Sequence, residues 1–304
     1  MNRAYRHIDG MKGVRCLTGR PLSRYTSMRV GGPAEILTRP DNDSALARLL
    51  AFLSEKGLDW YLLGGGTNTI FGEKGFSGVV IKLGRGFRQV RKSSPGIVTA
   101  GATAPLSLLL DRTLDWGLGG LEFCHGIPGT VGGAASGNAG MDGLGIHDRI
   151  IRVHGITGSG EAFSLSRGEY SCSYRNVEWP FYRPSRIIIT RLDFQLESVN
   201  RDRQNRLLER YREIRSRQPA SRGTAGSIFK NPPGDFAGRL IDAAGLKGRF
   251  MGGARVSPFH GNWILNTGEA SAGDVIGLIG LIRETVKRRF GVLLEPEVKL
   301  VGVH

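Results

Sequence analysis

Glycine constrains this chain more than any other residue: 46 of its 304 residues are glycine, and they gather in loops instead of scattering. That is about twice the ~7% share of an average protein. One cluster, Gly64-Gly65-Gly66-Thr67-Asn68, follows the apolar run Trp60-Tyr61-Leu62-Leu63. A second spans Gly126 to Ala134, with Gly129, Thr130, Gly132 and Gly133 inside it, and continues through Asn138-Ala139-Gly140. Clustered glycines suit loops whose bare backbone lines a ligand. The first cluster does not read as a dinucleotide fingerprint, because GxGxxG spacing is missing and no helix opens at the loop. Taken alone it reads first as a tight turn, with a backbone anion nest as the alternative. Two such loops together suit the two ends of a long diphosphate ligand, against the plainer reading of glycines packed at a domain joint.

Length points to two or three domains. The composition, 40% hydrophobic and 23% charged, is that of a globular protein and excludes disorder, collagen-like repeats and membrane spans. The net charge of +15 leaves nucleic acid, a membrane surface or an anionic substrate open as partners. The densest basic stretch, Arg201 to Arg222, sets eight arginines against Asp202, Glu209 and Glu213, yet Leu207, Leu208, Tyr211 and Ile214 recur at helical spacing. It reads as an amphipathic helix with a solvated basic face. Cys16, Cys124 and Cys172 have no CxxC spacing, so reduced thiols and a cytoplasmic location are expected. No secretory signal or apolar span of ~20 residues is present.

Residues 1–24 read as a flexible basic arm, and residues 25–200 as two mixed α and β subdomains dividing near 90. Residues 201–304 read as a C-terminal unit whose last strand, within Glu295 to Val301, returns toward the earlier region. Leu46, Leu49, Leu50 and Leu53 mark a helix face, and Ser271 with Asp274 forms a capping-box pattern opening a helix to Phe290. Strands are expected at Trp60 to Leu63, Gly78 to Ile81, Ile97 to Ala100, Ile150 to Ile156 and Ile187 to Phe194.

Among chemistry-bearing groups, Tyr174-Arg175 lies in a polar stretch where an arginine can hold a carboxylate by two parallel hydrogen bonds, or simply face solvent. Ser227 lacks a GxSxG elbow and a His-Asp partner, which excludes a hydrolase nucleophile but leaves a proton-donating hydroxyl. Glu295 and Glu297 fall on one strand, with Pro296 able to bend it, and read by default as a solvated edge. His260 sits among turn formers, and no spacing suggests a metal site.

As an ordered set, Leu63 to Asn68, Gly126 to Gly133, Tyr174-Arg175, Ala225 to Pro232 and Leu294 to Val298 resemble the UDP-N-acetylenolpyruvoylglucosamine reductase family, over Tyr25 to Val301. The resemblance implies an α+β, FAD-binding fold of the vanillyl-alcohol-oxidase type with a C-terminal α+β substrate domain. It further implies noncovalent FAD contacted by Gly64, Gly65, Gly66, Thr67, Asn68, Gly129, Thr130, Gly132, Gly133 and Asn138. NADPH is then the co-substrate and UDP-N-acetylglucosamine enolpyruvate the acceptor, in peptidoglycan precursor synthesis. By motif position, Arg175, Ser227 and Glu297 carry catalysis, while Tyr174, Lys230, Asn231 and Lys299 contact substrate. Ser171-Cys172-Ser173 and Pro258-Phe259 depart from the family pattern. The short connection from Arg175 to Ser227 suggests the branch lacking an extra tyrosine loop. A monomer or weak oligomer without nucleic-acid or membrane partners is expected. The rival readings are an oxygen-using oxidase of the same fold and a basic nucleic-acid-binding protein.

Overall fold

The computed structural model describes residues 2–180, 187–219 and 223–303. The chain divides into two compact units, the first of Met1–Leu17, Ile36–Gly65 and Gly78–Arg215, the second of Thr18–Glu35, Gly66–Ser77 and Ser216–His304.

The order begins α1 (Asn2–Asp9), β1 (Val14–Pro21), β2 (Pro33–Pro40), α2 (Asp43–Glu55), β3 (Trp60–Leu62), β4 (Thr69–Phe71) and β5 (Phe76–Ile81). Residues 2–21 therefore form a helix and a strand instead of a loose arm. The cause is tertiary: Ile8 is fully buried and the His7 ring stacks 4.2 Å from Phe52 of α2, so a short basic segment is held by its neighbours. In α2 the four expected leucines are all buried, and the Asn42 side chain accepts from the Ala45 amide at 2.9 Å. One sheet runs β1-β2-β5-β3, with β3 and β5 parallel.

Next come β6 (Val90–Ser94), β7 (Ile97–Gly101), α3 (Leu106–Asp115), α4 (Val131–Ser136), β8 (Ile150–Thr157), β9 (Ala162–Ser166), β10 (Ser171–Ser173), β11 (Asn176–Glu178), β12 (Ile187–Gln195) and α5 (Arg201–Ser216). Strands β9-β8-β12-β7-β6 make an antiparallel five-stranded sheet. Its apolar positions, such as Val98, Val153 and Leu192, join Leu46, Leu49 and Leu109 of α2 and α3 in one core. In α5, Tyr211 is buried, while Leu207, Leu208 and Ile214 pack partly against that core. The basic helix is thus amphipathic, and it belongs to the first unit. The division accordingly falls after Arg215, later than the boundary near 200 read from sequence. Arg222 lies outside the described residues.

The second unit holds α6 (Ala237–Ala243), β13 (Phe250–Met251), β14 (Ala254–Val256), β15 (Ile264–Asn266), α7 (Ala272–Phe290) and β16 (Lys299–Val301). Strands β13, β14 and β15 pair antiparallel. The capping box of α7 is complete: the Asp274 amide donates to Ser271 Oγ at 3.0 Å and the Ser271 amide to Asp274 Oδ2 at 2.9 Å. Val275, Leu278, Ile282 and Val286 are buried with Met28, Ile70, Ile241 and Ile264, whereas Phe290, at the end of that face, is 39% exposed. The final strand is shorter than expected. Only Lys299–Val301 is regular, and it pairs in parallel with β4, Leu300 opposite Ile70. It returns to sequence read as cofactor region, but β4 belongs to the second unit.

Among the described residues, no helix is long and apolar enough to cross a membrane, and no group of His, Cys, Asp or Glu is arranged to hold a metal. The three cysteines are free. Burial, reinforced by Asp9, pushes the Cys16 thiol up to about 11, and burial with Glu122 pushes Cys124 up to about 12. Cys172 is half-buried. Ellman's reagent at pH 8 is therefore expected to find one fast thiol per native chain and three after denaturation. Two fast native thiols would contradict this packing.

Candidate active site

In the first unit, β3 runs into Gly64-Gly65, and the second glycine loop lies directly against it. A Cβ on Gly65 would stand 3.1 Å from Gly129 Cα and 3.6 Å from Thr130 N, so the two backbones lie close together and a side chain there would push them apart. Thr130 bridges to Pro105, with the Leu106 amide donating to Gly129 O and the Val131 amide to Ala104 O. Its hydroxyl caps α4 by accepting from the Gly133 amide at 3.3 Å. Gly132 packs on Ala102, where a Cβ would come within 2.7 Å of the alanine methyl. Beneath the first loop, Lys82 Nζ donates to Gly64 O at 2.7 Å. Burial, then Arg39, holds its pKa below the usual lysine value. The amides of Gly64, Gly65, Gly129 and Thr130 meet no acceptor among the described residues. Backbone donors grouped on a side-chain-free surface fit the pyrophosphate of a dinucleotide such as FAD.

The remaining loop residues divide by role. Gly66 is buried at φ +68°, and a Cβ there would collide with Tyr25 O, so chain geometry alone requires glycine. Thr67 is half-buried and Asn68 exposed. In the second unit, Asn68 donates through Nδ2 to Glu297 O at 3.1 Å, and its carbonyl accepts from the Lys299 amide at 2.9 Å. Asn138, expected at the cofactor, donates through Nδ2 to Ser173 O at 2.9 Å and accepts the His147 amide on Oδ1. Its side chain thus ties the second loop to the β10–β11 hairpin.

That hairpin carries Tyr174-Arg175 at its two-residue tip, with Arg175 at φ +54° and Tyr174 57% exposed. Arg175 Nη1 donates to Asn138 O at 3.2 Å and Nη2 to Gly140 O at 3.1 Å, fixing the guanidinium over the second loop. The rings of Tyr170 and Trp179, just outside the two strands, pack at a tilt with centroids 4.9 Å apart. His147 locks this base. Its Nε2 lies 2.7 Å from Ala135 O, which can only accept, so Nε2 carries the proton and Nδ1 accepts from the Tyr170 hydroxyl at 2.9 Å. Burial is the main cause that lowers the His147 pKa.

In the second unit, Ser227 to Lys230 runs as a central extended segment. On one side the Ile228 amide donates to Asn262 O, the Phe229 amide to Asn262 Oδ1 at 2.9 Å, and Asn262 Nδ2 returns to Phe229 O at 2.8 Å. On the other, the Lys230 amide donates to Glu295 O, while the amides of Glu297 and Val298 both reach Ile228 O, at 2.8 and 3.4 Å. Two residues opposite one make a β-bulge at Glu297, a device that re-aims a side chain. Ser227 and Glu297 are each half-buried. Lys230 Nζ lies 2.6 Å from Glu295 Oε1, so Glu295 is an ion-pair partner on an exposed edge. Asn231 Oδ1 accepts from the Ala237 amide, and Lys299 is exposed on β16. The structure thus brings Ser227, Lys230, Glu297 and Asn68 together in the second unit. Arg175, Tyr174 and Asn138 stand together in the first. Sequence reasoning missed the supports Lys82, His147 and Asn262, none of which belongs to a glycine or apolar pattern.

An FAD-binding domain model matches residues 34–166, and a model described as UDP-N-acetylenolpyruvoylglucosamine reductase, C-terminal domain, matches residues 218–301. The first places the fold of this region in a flavoprotein class. A UDP-N-acetylenolpyruvoylglucosamine reductase of Anaeromyxobacter sp. (strain Fw109-5) is 42% identical over 93% of this chain and 87% of its own length. One from Bacillus anthracis is 39% identical over 95% of each chain. A crystal structure of the reductase from Thermus caldophilus superposes with a TM-score of 0.81 at 33% identity, covering 95% of this chain and 98% of that one. The chain belongs to the UDP-N-acetylenolpyruvoylglucosamine reductase family.

Two outcomes are expected. Gly65→Val should push the glycine loops apart and raise the dissociation constant for FAD about tenfold or more, read by quenching of flavin fluorescence as apoprotein is titrated. Wild-type affinity would remove the cradle from the pyrophosphate. His147, with its folded pKa below the ~6.5 of an unfolded histidine, contributes stability above pH ~6.5 that is lost as pH falls through the folded value. Melting temperature should therefore drop below pH 6.5, with a smaller pH-dependent part in His147→Gln.

Proposed function

We propose that this chain catalyses the NADPH-dependent reduction of UDP-N-acetylglucosamine enolpyruvate to UDP-N-acetylmuramate, an oxidoreductase step of peptidoglycan precursor synthesis. When bound, FAD would supply the hydride-transfer chemistry that links NADPH to the enolpyruvyl carbon-carbon double bond. Gly64, Gly65, Gly129 and Thr130 would hold its pyrophosphate through backbone amides, without a covalent link. The family relation over 93% of the chain supports this reading over an oxygen-using oxidase or a nucleic-acid binder.

The residues then have separate tasks. Hydride added to the terminal carbon leaves negative charge on the adjacent carbon and its carboxylate, which fixed partners stabilise best. Arg175 suits the carboxylate, because carbonyl contacts at Asn138 and Gly140 already fix its fork. Glu297, re-aimed by its bulge, is assigned by motif position to the substrate carboxylate, which its carboxyl can hold only as the neutral acid that donates a hydrogen bond. Ser227 protonates the carbanion-like carbon: a C–H bond forms, the O–H bond breaks, and the electron pair stays on Oγ. Tyr174, Lys230, Asn231 and Lys299 contact substrate, the two lysines suiting its diphosphate. The reaction runs in the cytoplasm, in keeping with three free thiols.

The observation that carries the serine assignment is the grip on Ile228, the residue next to Ser227, between Asn262 O and the Glu297 bulge. In stopped-flow absorbance, Ser227→Ala should bleach with NADPH at the normal rate and regain colour with the enolpyruvyl substrate about 10²–10⁴ times more slowly. Equal loss in both half-reactions would contradict the role.

A further inference from the structure

Ser227 has a second neighbour whose chemistry the proposed reaction does not use. An antiparallel bridge sets Ser227 opposite Trp263, and the Ile228 amide donates to Asn262 O at 2.9 Å. That bond joins the residue after Ser227 to the residue before Trp263, which makes the two a non-hydrogen-bonded pair. In such a pair Cα atoms approach to about 4.5 Å and both side chains leave the same face. Trp263 is only 5% exposed, and its indole Nε1–H is buried with no hydrogen-bond partner among the described residues. A buried donor left unmade is costly, so native structures keep few of them and each asks for a reason. Trp263 itself is held in place: its amide donates to His260 O at 3.2 Å, its carbonyl accepts from the Ser257 amide, and its ring meets His260 edge-on at 6.4 Å.

Serine is a weak acid for carbon protonation, and losing its proton leaves an alkoxide in a half-buried place. A neutral hydroxyl can be satisfied by turning, but an alkoxide accepts only and needs a donor aimed at it. Across the strand pair from Ser227 stands one donor that no other group among the described residues uses.

We propose that Trp263 is a positioning residue for the proton transfer, its indole N–H donating to Ser227 Oγ as that oxygen gives up its proton. The proposal rests on the reading of Ser227 as the acid. In the step, the serine O–H proton moves to the substrate carbon, the O–H electron pair remains on Oγ, and the Trp263 N–H shortens onto it. Water then returns a proton to the serine. Trp263 itself exchanges no proton.

The test is a double-mutant cycle on the second half-reaction, with FAD-loaded protein reduced by NADPH and then mixed with UDP-N-acetylglucosamine enolpyruvate. Trp263→Phe keeps the ring bulk and removes the donor. It should slow flavin recolouring about 10- to 100-fold, the worth of one hydrogen bond to an anion, with substrate dissociation constant and FAD content unchanged. In a Ser227→Ala background the same change should have no further effect. Replacing Trp263 by benzothienylalanine, which exchanges only N–H for sulfur, should reproduce the slowing if Trp263→Phe folds poorly. A slow Ser227→Ala with a fast Trp263→Phe overturns this inference alone, as does equal slowing by Trp263→Phe in both backgrounds. A fast Ser227→Ala overturns the serine assignment and this inference with it.

Discussion

Backbone pressed against backbone is the constraint on which the cofactor half of this molecule depends. Gly65 lies on the Gly129 backbone so closely that a methyl group would force the loops apart by a few tenths of an ångström, and Gly132 lies against the Ala102 methyl, where a Cβ would come within 2.7 Å. The amides of Gly64, Gly65, Gly129 and Thr130 meet no acceptor among the described residues, and an anion is the partner that such a surface favours. Positive charge is supplied sparingly: Lys82 sits below the loop, bonded to Gly64 O, and steadies the backbone from behind. Every substitution at the touching glycines acts first on loop spacing and only through it on the ligand.

The substrate half is organised differently. There a single extended segment is gripped from two sides, by Asn262 through three hydrogen bonds and by the bulged strand carrying Glu297. Its precision comes from regular hydrogen-bond geometry, which tolerates side chains and uses them. The hairpin bearing Arg175 follows a third plan, in which Asn138 and a neutral, buried His147 lock the turn from outside.

Much of the frame was legible in the sequence because periodicity and capping are local. The leucine stripe of α2, the capping box of α7 and the apolar strands Ile150–Thr157 and Ile187–Gln195 all follow from short-range pattern. What escaped depends on distant partners. Residues 2–21 carry little pattern of their own and are ordered by Phe52 and the core. α5 was legible as a helix, but its membership in the first unit depends on packing that composition does not reveal. Arg175, Ser227 and Glu297 stood out through ordered motifs resembling a family. Asn138 stood out for the same reason, yet its amide is engaged by the protein itself. Trp263 gave no signal, because a tryptophan in an apolar run reads as core.

The pairing of β16 with β4 sets residues 299–301 beside residues 69–71, so this ladder joins segments that lie far apart in sequence. During synthesis β4 emerges early and has no partner on that edge until the last strand leaves the ribosome. A parallel ladder of such sequence separation is formed late and slowly, because loop closure must precede the contacts that reward it. The segment containing Gly66 to Phe71 therefore waits as an unfinished edge until residues 299–301 are made, a state that favours chaperone protection and makes that late strand a condition of the second unit's assembly.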